Sequence, residues 1–348
     1  MESELTSNQR LQVCEFSSEL FVRILRNILG DENTNLNQLY NNIQINYLIG
    51  YLEREKARTV IVESEYIDRH FLEDYANYHV RSFSDLGKMC TRIHFFDKNA
   101  LIDSSSNEIF FRIDFINFLR GLSDKITNSS FKEGYLGFVV IKPLLNSIVG
   151  RTCLRVYKSD KTAKDASNKK LNVKRNFLVT IPIKVNLFGK ELVIKKSLPF
   201  QEQDTAIAAC ASSALWSFFY GVKATSRTQA PSPSEITKLA ESKGHVGEYR
   251  LTGAHGLTPY LIQNAIKAFD LTYEEFRVSE SIQILKSIVY GYQSRKREPV
   301  LLGVDVLKKD KNSNWDYSAG HLITLTGYEY DKKSFNNPIL NRPGFVGD

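Results

Sequence analysis

The chain has no run of about 18 uninterrupted apolar residues, which excludes a hydrophobic helix able to span a bilayer, so no membrane partner is expected. Its opening, Met1-Glu2-Ser3-Glu4-Leu5-Thr6-Ser7, lacks the basic start and apolar stretch of a secretory signal. Cysteine is scarce. Cys14, Cys90, Cys153 and Cys210 are widely scattered, and no two stand at metal-ligand spacing. No disulfide is expected, and such cysteine usage suits a reducing, cytoplasmic compartment. Histidine is sparse too: His70 and His79 miss the i,i+4 spacing of a helical ligand pair, so no zinc or other cofactor is assigned. Nothing repeats at a fixed period, which excludes solenoids and propellers.

What is present is an ordinary globular composition, 42% hydrophobic and 24% charged, on a chain of 348 residues that is long enough for two domains. The net charge of +7 is compatible with an acidic partner. However, the densest basic stretch, residues 158–175, mixes lysine with Asp, Ser and Asn and holds no aromatic residue. It reads as a solvated loop, and nucleic acid is not expected as a partner.

Residues 1 to about 50 read as helical and polar-rich, with Leu20, Phe21, Ile24, Leu25 and Ile28 at helical spacing and Gly30 as a stop. Residues 59–63 read as a buried strand. Ser64 is placed to cap a helix whose stripe is Ile67, Phe71, Tyr75 and Tyr78. Residues 91–97 alternate, which sets Arg92 and His94 on one face and Ile93 and Phe95 on the other. His94 is expected to be a hydrogen-bonded structural histidine. A helix follows over 110–127, then strands over 134–143 and 150–157, then a hairpin over 177–194 with Gly189 in its turn. Residues 1–195 therefore read as an α+β domain.

Leu198-Pro199-Phe200-Gln201 leads into the second half. There Cys210 follows the polar run Gln201-Glu202-Gln203-Asp204-Thr205 and precedes the apolar stretch to Trp216. That places a thiol at the start of a buried helix, where unpaired N–H groups and the helix dipole favour thiolate. A lone cysteine is also a common core residue. Downstream, Ser234 is read as the cap of the next helix, and Thr258 with Pro259 as the start of another. His255 lies in a Gly-flanked loop and reads as an exposed loop histidine, with a rival general base as the alternative. Residues 298–306 read as a buried strand pairing with a second one over 318–328, which carries His321 near its start. A cysteine on a helix and a histidine on a distant strand form a nucleophile–base pair in many folds.

Gln203, Cys210 with Ala211 and Trp216, and Gly320-His321 followed by Gly327-Tyr328, in that order, resemble the papain-like cysteine peptidase superfamily, especially its bacteriocin-processing-type bacterial branch. The resemblance implies a papain-like domain over 196–348, a Cys-bearing helix packed on an antiparallel sheet that carries the histidine. It implies Cys210 as nucleophile, His321 as base and Gln203 as oxyanion donor, a group typically worth about 3 kcal/mol of barrier. The Gln203–Cys210 spacing is one residue longer than papain's, so Gln201 stays an alternative. The residue orienting His321 is assigned to Asn337, with Asn336, Asp331, Asp348 or a strand beyond Asp348 as alternatives. The implied substrate is a protein or peptide, and the implied intermediate a thioester, passed to water or to an acyl or peptidyl acceptor. A catalytically inactive papain-like binding or sensor module is the alternative from another class. The first half, through residues 135–143 and Gly150-Arg151-Thr152, resembles the N-terminal region of uncharacterised bacterial proteins that carry such a half, which leaves it a role toward a protein partner.

Overall fold

A computed structural model describes residues 11–30, 39–81, 87–97, 112–121, 128–144, 147–156, 173–203, 209–222, 230–242, 257–279, 281–309 and 315–331. The chain divides into two units, Met1–Tyr157 with Pro182–Ala206, and Lys158–Ile181 with Ile207–Asp348. A single cut between residues 195 and 196 does not describe this division. Residues 196–206 stay with the first unit, and a short internal segment joins the second.

The first unit is built on a five-stranded antiparallel meander, β1 (Leu11–Glu15), β2 (Ala57–Tyr66), β3 (Cys90–Asp97), β4 (Tyr135–Ile141) and β5 (Val149–Leu154), in that spatial order. Side chains alternate along each strand, so one face gathers Val60, Val62, Ile93, Phe95 and Val139. Against it pack α1 (Ser18–Leu29) and α2 (Ile43–Arg54) through Phe21, Leu25, Leu48 and Leu52. The other face carries Ile61, Phe96, Phe138 and Val140. It is covered by α3 (Arg69–Asn77), α4 (Arg112–Leu119), α5 (Asn128–Glu133) and the hairpin named below.

Local chemistry fixes these elements. Ser17 Oγ accepts the Leu20 N–H at 3.1 Å and Gly30 closes α1 at φ 65°, as the helical spacing predicts. The reading of residues 1–50 as helical misses β1, five residues whose pairing with β2 lies far along the chain. Ser64 does not cap a helix but lies within β2. Asp68 caps α3 instead, its Oδ1 accepting the Phe71 N–H at 3.1 Å. The hairpin over 177–194 is β7 (Ile181–Leu187) and β8 (Lys190–Ser197). Phe188 and Gly189 both have positive φ, as a two-residue turn of this hand requires, and Asn186 Oδ1 accepts the Gly189 N–H at 2.8 Å.

In the second unit, α6 (Ala209–Gly221), α7 (Pro233–Ser242) and α8 (Pro259–Ala268) bury a common core of Leu215, Trp216, Phe219, Ile236, Leu261 and Phe269. Ser232, not Ser234, caps α7, accepting the Glu235 N–H at 3.2 Å with Pro233 in the first helical position. Thr258 caps α8 as its sequence predicts. α9 (Ile282–Gly291) runs into a π-helical turn over Tyr292–Lys296. β9 (Val300–Lys309) and β10 (Trp315–Leu325) form an antiparallel hairpin. β11 (Gly327–Asp331) pairs instead with β6 (Val173–Phe177). The end of the basic stretch is therefore strand rather than loop, while residues 158–172 lie outside the described residues. Among the described residues no helix is long and apolar enough to cross a membrane.

Candidate functional site

Cys210 is the second residue of α6, partly exposed, and packs against the helical core that holds Ala211, Leu215 and Trp216. The first turn of a helix presents N–H groups without intrahelical partners. All four thiols are free. Burial pushes Cys14 up to about 11, and Cys90 and Cys153 up to about 12. Those three are held as neutral packing groups, inert at ordinary pH.

α6 packs against β10. The contact includes a directional bond, in which Thr324 Oγ1 donates to the Ala214 carbonyl oxygen at 2.7 Å. Leu322 and Leu301 pack on the helical core beside it. Leu301 lies directly across from Thr324, so Leu301, Leu322 and Thr324 share one face of the hairpin, the face turned to α6. His321 pairs with Val304, one residue out of step, and belongs to the opposite face. Two expectations change here. The strand starts at Trp315, because Trp315 to Tyr317 pair with Lys309 to Leu307, so His321 is mid-strand rather than near its start. The helix and the strand are brought together, yet no hydrogen bond links Cys210 and His321 among the described residues.

Gln203 is exposed and Gln201 half-buried; both belong to the first unit, whereas Cys210 belongs to the second. Asp331 closes β11 opposite Val173. Asn336, Asn337, Asp348 and His255 lie outside the described residues. No group of His, Cys, Asp and Glu suited to a metal ion occurs among the described residues.

Sequence reasoning missed a second polar constellation, in the first unit. Glu63 on β2 accepts from Arg92 Nε at 2.6 Å and meets His94 Nε2 at 3.4 Å, both on β3. A carboxylate only accepts, so Nε2 donates and Nδ1 is left to accept the Tyr135 O–H at 2.9 Å. Arg92 also donates to the Asn186 carbonyl at 2.9 Å, and its guanidinium lies 4.2 Å from the Tyr66 ring centroid. Arg151 donates to the Tyr66 hydroxyl at 2.9 Å and pairs with Asp68 at 2.7 Å. Burial pushes His94 down to about 4. Burial also pulls the Glu63 carboxyl upward, but the hydrogen bond from His94 and the charge of Arg92 outweigh it and hold the group below the ordinary carboxylate range. Alternation along β3 does put Arg92 and His94 on one face, as expected. The missing signal was the register of β2, which sets Glu63 opposite Arg92. Glu63, Arg92, His94 and Tyr135 take one another as partners, and the cluster reads as structure rather than as a reactive centre.

Compared with protein-family models, curated proteins and solved structures, the chain matches none of them.

Proposed function

We propose that the second unit is a papain-like thiol hydrolase, a cysteine peptidase or amidase, with Cys210 as nucleophile and His321 as base. The observation that carries this reading is the packing of α6, with a thiol in its first turn, against the strand that bears His321; the ring belongs to the face turned from α6, so the reaction requires it to be brought round to the thiol. In the reaction the imidazole takes the thiol proton and sulfur attacks the amide carbonyl carbon. The carbonyl π pair moves onto oxygen and returns as the C–N bond breaks. The imidazolium gives its proton to the departing amine, leaving a thioester. Water then releases the acid and frees the thiol; an amine acceptor in its place makes the same site a transferase.

A second reading is favoured by the face that His321 takes. It is a papain-like scaffold that binds a peptide or protein without cleaving it, with Cys210 as a packing residue. Iodoacetamide labelling of the full chain across pH 5 to 9 separates the two. A catalytic pair labels Cys210 at mildly acidic pH, ahead of Cys14, Cys90 and Cys153, and His321→Ala removes that advantage. Cys210→Ala and His321→Ala then each abolish turnover of a peptide library in a folded protein. Labelling that follows an ordinary thiol and ignores His321→Ala sinks the hydrolase and leaves the binding module.

A further inference from the structure

We infer that Thr324 is a positioning residue for Cys210, holding the first turns of α6 at a fixed height on β10; this rests on the thiol reading above. Ala214 lies four residues, one helical turn, beyond Cys210. Its carbonyl stands in mid-helix, where the main-chain ladder uses one lone pair, and Thr324 Oγ1 takes the other at 2.7 Å. Leu301 and Leu322, on that same hairpin face, pack on the helical core through apolar side chains, and such contacts carry no direction. An apolar contact tolerates sliding of a helix along a sheet; a hydrogen bond at this distance does not. Thr324 is therefore a group that fixes where along the strand the thiol stands. The hydroxyl bridges residues 110 apart in sequence.

The experiment is the pH profile of Cys210 alkylation in the full chain, wild type against Thr324→Val and Thr324→Ser, with melting temperature recorded for each. Valine keeps the volume and removes the O–H. It is expected to lower the Cys210 rate at mildly acidic pH by roughly three- to tenfold, the worth of one hydrogen bond, and to move the profile toward that of an ordinary thiol. Serine, which keeps the O–H, restores the wild-type profile. Should the valine variant fail to fold, Thr324→Ala repeats the test without pressing a methyl on the Ala214 carbonyl. A valine or alanine profile equal to wild type, in a protein whose labelling does depend on His321, overturns this inference alone. Wild-type labelling indifferent to His321→Ala overturns the hydrolase reading and this inference with it.

Discussion

Gly137→Ala is expected to leave the first unit unfolded. Gly137 sits in β4 at φ 134°, a conformation that side-chain-bearing residues rarely adopt. A Cβ there would stand 2.1 Å from the Cys153 carbonyl oxygen and 2.9 Å from Leu154 Cα. Both are backbone atoms of the paired strand β5, so no side chain can swing aside. Relief requires β4 and β5 to part, which breaks the register that joins Gly137 to Leu154 and Phe138 to Cys153. Strain of this kind, together with lost pairing in a doubly covered sheet, costs several kcal/mol. A domain has only about 5–15 kcal/mol in total. Gly50→Ala is the control. Gly50 lies inside α2 with open space around it, so alanine there should stabilise by about 1 kcal/mol. Hydrogen exchange of the β3 and β4 amides in the full chain reads both variants. Native protection in Gly137→Ala would refute the argument.

The first unit should also lose stability steeply as pH falls from about 6.5 to about 4. Burial pushes both His94 and His70 down to about 4. In the unfolded chain a histidine takes its proton near 6.5. Between those two values the unfolded state binds more protons than the folded state, so acid favours unfolding. Above 6.5 both states are neutral and the full stability is present. Each histidine accounts for a loss of about 3 kcal/mol across the window. Glu63, held below the ordinary carboxylate range, adds a further loss below its unfolded pKa. The Arg92 bond to Asn186 ties the β7–β8 hairpin to the sheet through this cluster, so that hairpin should lose protection early. Urea midpoints measured at pH 7.5, 6, 5 and 4.5 test the slope, and His94→Gln should flatten it by about one proton. A stability that is flat down to pH 4.5 would show that these rings are protonated in the fold.

What was legible in the sequence was whatever a short window decides. The α1 spacing and its Gly30 stop, the turn at Gly189, the Thr258–Pro259 start of α8 and the alternation along β3 all depend on neighbouring residues. A mixed helix-and-sheet fold followed from these. Pairing decided at a distance was not legible. β1 and β6 are five-residue strands made strands by partners far along the chain, and their own composition reads equally as loop. The same limit governed the candidate site. Cys210 in the first turn of a helix and His321 on a strand against it were both readable. The face of His321 was not, because it follows from a register in which Leu301 opposes Thr324 and from a strand that begins at Trp315. Glu63 escaped notice for the same reason.

The pairing of β6 with β11 imposes an order on biosynthesis. β6 ends at Phe177 and its partner starts at Gly327, with two strands of the first unit and the whole thiol-bearing helix made between them. At bacterial-to-eukaryotic elongation rates that interval is roughly ten to thirty seconds, long against the folding of an ordinary small domain. During it the five-stranded meander has all its strands, while β6 waits as an unpaired edge. A gene fragment starting at residue 196 would never supply that strand, so a shortened version of the second unit should be made with residues 158–181 joined to it.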